Sequence, residues 1–421
     1  MDLSRSFAPL RHRPFALLWA GAFLSNIGTW METVAVGVLV TTETGQAGWA
    51  GLVAAAGFVP SGLLAPVGGA LADRIPRRTL LLVTTTVQTA LAALLTLLTA
   101  AGTPHPGVVT LIVLATGCAL ALGFPAYQAL LPDLVPRDDL PGAVALSSAQ
   151  WNLGRVIGPA LAGVVIRFGG YEWAFGVNTA SFFAVIAVLV ILRLPRPAPA
   201  TDASIVAAIV TGARFVRADP GLRVVVGYMA LNSLLAAPFI ALVPAMALKV
   251  FHNEQAGTAA LVTAQGAGAV LMGLGLGVLH AQFGSRRVLL GVLWGLPAAL
   301  CAYALSPNLA VGVVTIFVVG FLYLGALSSF TTIAQLRAPT ALRGRVLSLL
   351  MVLLGTLYPL GSIVQGAIAD RVGLRATTAG AAALMALVLL VVRLTRPTLT
   401  HALDQDAAAA DALAAFTREP G

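Results

Sequence analysis

The chain is expected to be an all-α membrane protein with twelve transmembrane helices arranged as two six-helix pseudo-repeats. Three observations carry that expectation. Of its 421 residues 58% are hydrophobic and 10% charged, where a soluble domain carries about 25% charged residues. The apolar residues gather in long runs. The arginines gather between the runs, almost all on one side of them.

Apolar runs fall at 15–40, 48–71, 79–101, 107–131, 142–166, 172–193, 222–249, 256–280, 287–305, 309–333, 344–368 and 374–393. A spanning helix needs about 20 such residues. Twelve of them take a little over half the chain and leave short loops. The first run follows Arg5, Arg11 and Arg13 as a signal sequence would. It is too long for a signal core and a second run follows closely, so it reads as the first span. An even number of spans puts both termini on one side.

Basic residues fix which side. With the N-terminus cytoplasmic, 20 of the 25 fall in inner segments and four, Arg167, Lys249, Arg371 and Arg375, in outer ones. Arg155 alone lies well inside a run. This is the positive-inside pattern, and it accounts for the net charge of +9 without a nucleic-acid partner. The expected location is a bacterial inner membrane, multi-pass, with both termini cytoplasmic and the lipid bilayer as solvent.

Residues 1–194 form the expected N-terminal half and 222–396 the C-terminal half. The linker, 195–221, opens on Pro195, Pro197 and Pro199. It continues with Ile205, Val206, Ile209 and Val210 at helical spacing, ahead of Arg214 and Arg217. That pattern predicts a short amphipathic helix on the inner membrane surface, closed by Asp219-Pro220-Gly221. The alanine-rich tail, 397–421, reads as a solvated cytoplasmic segment. The halves echo each other: Leu140 to Ser147 resembles Leu342 to Ser348, about two hundred residues on. Parallel six-helix repeats are a feature of certain secondary transporters, with the site near the bilayer midplane.

Between the second and third runs lies Gly68 to Arg78, G-G-A-L-A-D-R-I-P-R-R. Two close-approach glycines, one carboxylate and three arginines mark a tight loop. Gly69, Leu71, Ala72, Asp73, Arg74, Arg77 and Arg78 resemble the loop signature of the major facilitator superfamily, with Pro76 where that family usually has glycine. A degraded copy, Gly277-Val278-Leu279 then Gly284-Ser285-Arg286-Arg287, has Ala281 in the carboxylate slot. A closer resemblance is carried by Ser25 to Met31, by Val135 to Leu140 and by Leu342 to Val346. It points to the branch containing the enterobactin exporter and macrolide efflux pumps. The resemblance implies the major facilitator fold and proton-driven export of a hydrophobic or amphipathic small molecule. Uptake by symport or facilitated diffusion, and a non-transporting membrane sensor, stand as alternatives.

The resemblance also assigns roles. Asp73 would pair with loop arginines and face the start of the eleventh span at Arg343, latching the cytoplasmic side. Gly154, Gly158, Pro159 and Gly163 are similar to the superfamily's antiporter motif, with Ala162 before the last glycine. They read as a packed hinge or as an ordinary small-residue face. Spans one, four, seven and ten would line the cavity. Their polar and aromatic candidates include Asn26, Thr29, Trp30, Thr33, Gln128, Tyr228, Asn232 and Tyr323.

Glu32 stands out on its own chemistry. It is the only carboxylate well inside an apolar run, roughly 13 Å below the outer end of its helix. Ser25 and Gly28 share its face. A carboxylate there serves proton coupling or a cationic substrate, or is paired for structure. Arg155, close to the midplane, stays charged and needs a partner: an anionic substrate, Glu32, or a structural contact. Cys118 and Cys301 lie in apolar runs and the five histidines near helix ends, with no metal-ligand spacing. No cofactor is expected. No nucleophile–base set or phosphate loop points to an enzyme. The expected assembly is a monomer whose partners are a small-molecule substrate and protons.

Overall fold

A backbone inside lipid must satisfy every amide within its own segment, so a spanning chain folds as helices or a closed barrel. This chain takes the first course. The computed structural model describes residues 7–192, 205–253 and 255–404, and among them there is no strand. In order come α1 (Arg13–Thr44), α2 (Ala47–Arg74), α3 (Arg77–Ala101), α4 (Pro106–Leu134), α5 (Leu140–Ile191), α6 (Ile205–Ala218), α7 (Pro220–Leu231) and α8 (Phe239–Lys249). Then follow α9 (Gln255–Phe283), α10 (Ser285–Ala304), α11 (Leu309–Arg337), α12 (Thr340–Val372) and α13 (Leu374–Thr395). A π-helical segment, Asn232–Ala236, joins α7 to α8, and a 3-10 helix, Leu399–Leu403, follows α13.

Eleven segments among the described residues are long and apolar enough to cross a membrane. One of them, α5, has 52 residues. At 1.5 Å per residue that is about 78 Å, far beyond one bilayer core of about 30 Å. It breaks at Gly170, where φ is 77° and ψ −177°. A side chain is strongly disfavoured there. The two arms either side of Gly170 match the fifth and sixth expected spans, so the described residues hold twelve segments long and apolar enough to cross a membrane.

The helices group into two compact units. One takes in Met1–Thr201 and Val243–Thr263, the other Asp202–Leu242 and Ala264–Gly421. In the first unit Met31, Val38, Leu95, Ile112 and Phe175 build one core, against which Trp49 and Val262 pack. Phe15, Leu18, Leu80, Leu130 and Leu189 build a second. Two glycines bring α2 against α4. A β-carbon at Gly68 would lie 2.6 Å from the Ala121 carbonyl oxygen, and one at Gly117 would lie 2.6 Å from that of Gly57. The large apolar side chains left outside, among them Phe168, Leu274 and Leu394, suit a lipid surround.

The linker prolines lie outside the described residues, as do tail residues 405–421. Within the linker, Ile205–Ala218 forms helix α6. Of the tail, Leu399–Leu403 forms a 3-10 helix in which His401 is exposed and Leu403 is buried at 3% exposure, and the exposed Asp404 contacts two arginines. Within an alanine-rich composition Leu403 is the residue that packs.

Candidate functional site

Helix α1 carries Glu32 on the face that also holds Ser25 and Gly28, and all three are buried. The Glu32 side chain, at 8% exposure, meets an amide. Asn178 Nδ2, on the second arm of α5, donates to Glu32 Oε2 at 2.6 Å. Asn178 is buried at 1%. Ser181 sits beside its other side-chain atom: the single hydroxyl proton goes to the Asn178 carbonyl at 2.7 Å, with Asn178 Oδ1 3.2 Å from the same oxygen. An ionised carboxylate accepts only, so it is Glu32 that calls for the NH2 of Asn178 on its side. Gly28 supplies the room. A β-carbon there would sit 2.5 Å from Asn178 Oδ1 and 2.6 Å from Ser181 Oγ. Glu32, Asn178, Ser181 and Gly28 thus form one assembly across two helices.

The first arm of α5 packs on the neighbouring face of α1. A β-carbon at Gly158 would lie 2.7 Å from the Ile27 carbonyl oxygen and 3.0 Å from Met31 N. One at Gly154 would lie 3.0 Å from Asn26 Cβ. Gly158 and Pro159 are buried, and Gly163 is partly buried. This close approach places Arg155 over the Trp30 ring, 5.5 Å from its centroid. Trp151, one turn earlier, meets Trp30 edge-on at 5.6 Å. Thr33 returns its hydroxyl to the Thr29 carbonyl of its own helix at 2.8 Å. Gln128 is exposed. Its neighbour Tyr127 is the engaged one, accepting from Gln150 Nε2 at 2.6 Å.

The loop between α2 and α3 is arranged differently from its expectation. Gly69 has open space around it, and Gly68 makes the close approach. Asp73 and Arg74 are exposed on the last turn of α2. Arg77 reaches Asp133 Oδ2 at 2.6 Å and the Ala129 carbonyl at 2.8 Å. Arg78 donates to the carbonyls of Leu189 and Val190 at 2.6 and 2.8 Å. These are the last, unpaired carbonyls of α5, where a cation is favoured. Arg77 and Arg78 therefore brace helix ends and are not the partners of Asp73. Arg343 is exposed near the start of α12.

In the second unit Tyr228 and Asn232 are buried on α7 and the π-helical segment, and Tyr323 is buried on α11. Tyr323 meets Phe239 edge-on at 5.7 Å. Neither side-chain atom of the Asn232 amide has a hydrogen-bond partner among the described residues. The π-turn frees carbonyls, and Gln365 Nε2 on α12 takes those of Leu234 and Leu235 at 3.1 and 3.0 Å. At the arginine-rich end, Arg337 closes α11 with a bidentate pair to Asp219, 2.9 and 3.1 Å. Asp219 also caps α7 by accepting from Leu222 N at 2.8 Å. Among the described residues no three His, Cys, Asp or Glu side chains gather as metal ligands.

Comparison with known proteins fits this architecture. The model of a family described as transmembrane secretion effector matches residues 4–417. The chain belongs to that family. Transmembrane secretion effector relatives include the multidrug efflux pump Tap of Mycolicibacterium fortuitum, 30% identical over 86% of this chain and 91% of Tap. The enterobactin exporter EntS of Citrobacter koseri is 29% identical over 80% of each chain. Among solved structures, a POT family transporter superposes with a TM-score of 0.73 at 11% identity, covering 92% of this chain and 97% of that one. That likeness shows the major facilitator fold. This member of the transmembrane secretion effector family is accordingly a multi-pass membrane transporter and not an enzyme.

Sequence reasoning missed Asn178, Asp133, Gln150 and the Asp219–Arg337 pair. Asn178 carried a usable signal, an amide inside an apolar run. Asp219 was read only as a turn residue, because a cap and a turn share the same Asp-Pro-Gly pattern.

Proposed function

We propose that this protein is a proton-driven exporter of a hydrophobic or amphipathic small molecule. It works by alternating access, as a monomer, in a bacterial inner membrane with both termini cytoplasmic. The observation that carries the reading is Glu32, a carboxylate inside the first span held by the neutral amide of Asn178. The efflux and export functions of Tap and EntS support the direction. The arginine distribution supports the orientation.

An ionised carboxylate only accepts hydrogen bonds, and a protonated one also donates. Asn178 Nδ2 can donate to Glu32 in either state, so the amide holds the carboxyl in place while its charge changes. An arginine partner would instead fix the charge. Proton arrival at Glu32 on the outer side, and its loss on the inner side, supplies the driving step for cargo to leave. Asp73, exposed at the arginine-rich end, is the latch that keeps the inner side closed.

Ethidium efflux from energised cells tests the assignment. Glu32→Gln is isosteric and cannot ionise, so efflux falls to the rate of cells lacking the protein while membrane insertion stays normal. Full efflux by Glu32→Gln, still abolished by a protonophore, would place the coupling group elsewhere.

A further inference from the structure

The two repeats differ in how they brace the same pair of helix ends. In the first, Arg77 opens α3 and pairs with Asp133, the penultimate residue of α4. The matching hairpin in the second is α10–α11. Arg286 lies in the first turn of α10, and the penultimate residue of α11 is Leu336, followed by Arg337. The carboxylate is therefore missing, and a second arginine stands beside its place. Ala281 shows that the loop before α10 lacks its acid too.

The chain segment after α13 makes good the loss. Asp404 forms an ion pair with Arg286, and its backbone carbonyl accepts from Arg337 Nη1 at 3.1 Å. Leu403 is buried. The remaining Arg337 contacts go to Asp219, with both side chains wholly buried. Gly221 completes the fit. A β-carbon there would collide with the Arg337 guanidinium and lie 2.5 Å from the Ala402 carbonyl oxygen. The strap Leu399–Asp404 thus touches the beginnings of α7 and α10 and the end of α11.

We propose that Asp404 is a positioning residue for transport, supplying from the C-terminal strap the acid that α4 supplies in the first repeat. By bridging Arg286 and Arg337 it makes the ends of α7, α10 and α11 move as one body. One charge-assisted pair from the carboxylate to Arg286 and one hydrogen bond from Arg337 to the backbone carbonyl of the same residue give that link without a large interface. The inference does not depend on the direction of transport or on the coupling ion.

Two measurements test it. In ethidium efflux, Asp404→Ala keeps the backbone carbonyl that Arg337 uses and removes the largely exposed ion pair with Arg286, so it lowers the initial rate by about two- to fivefold at equal membrane content. Asp404→Glu restores most of the rate. So does Leu336→Asp in the Asp404→Ala background, because it returns the acid to the position that Asp133 holds. In open membrane fragments, Leu403→Cys in a chain whose native cysteines are serine resists a water-soluble maleimide, and adding Asp404→Ala exposes it. The labelling arm reads the strap even in a protein that does not carry ethidium. The proposal is overturned by an Asp404→Ala protein that transports at the parent rate. It is equally overturned by Leu336→Asp failing to rescue, or by Leu403→Cys labelling freely in the otherwise unaltered chain.

Discussion

Glu32 is held by an amide, and that choice of partner has consequences. Pairing with arginine would lock the carboxylate as an anion, whereas breaking such a buried pair costs about 3–5 kcal/mol. The Asn178 hydrogen bond at 2.6 Å keeps the group in place and leaves it free to take a proton. Asn178→Leu keeps the volume and removes the donor. Transport then falls by about tenfold, an effect of the size that leaving a buried polar group unsatisfied produces, while Asn178→Gln retains part of it. Gly28→Val acts on the same assembly through space. Its side chain would enter the positions of Asn178 Oδ1 and Ser181 Oγ, so the purified protein melts lower by an amount matching about 1–3 kcal/mol of overpacking. Glu32 was legible in the sequence because a lone carboxylate in an apolar run is conspicuous. Its partner was not, because contact across 146 positions is set by packing and leaves no trace in local spacing. Arg155 was visible for the same reason as Glu32, and its seat over Trp30 was not.

Among the elements, the helix spans were readable almost to their ends, since lipid demands long apolar helices and little else. The break inside α5 is the informative case. The sequence placed two runs there with a gap at 167–171, and the structure keeps helical hydrogen bonding on either side of a single non-helical glycine. Gly170→Val forces a β-branched residue to φ 77°, costs about 2 kcal/mol or more, and shows as a lowered melting temperature with little change in the transport rate of the surviving protein. Ends of helices were less readable than their middles. Arg78 on the α5 carbonyls, Asp219 capping α7 and Arg337 behind it all use charged side chains that, in sequence, look like ordinary topology markers. Asp219→Ala leaves Arg337 buried without its carboxylate, and the loss of about 3–5 kcal/mol makes it the most damaging of these substitutions in thermal melting. Asp219→Asn, which keeps the cap to Leu222, recovers part of that loss.

For the molecule as a whole, hydropathy, internal repetition and charge asymmetry defined twelve spans in two halves, and the resemblance of the Gly69–Arg78 loop to the major facilitator signature implied a transporter. Family membership and the fold likeness agree with that reading. The repeats have diverged where charge is concerned. One half keeps Asp73 in its loop and Asp133 on its hairpin; the other has neither acid and borrows Asp404 from the C-terminal strap. What the sequence withheld at this scale is the cargo, because the polar side chains of the spans are few and mostly bonded to their own helices. The measurement that bears on coupled export is substrate movement in everted membrane vesicles. With the lumen made acidic, ethidium accumulates inside vesicles carrying the native chain, the accumulation collapses when nigericin dissipates the pH difference, and Glu32→Gln vesicles accumulate none. Ethidium accumulation that is indifferent to the lumenal pH, or equal in native and Glu32→Gln vesicles, would contradict proton-driven export through Glu32.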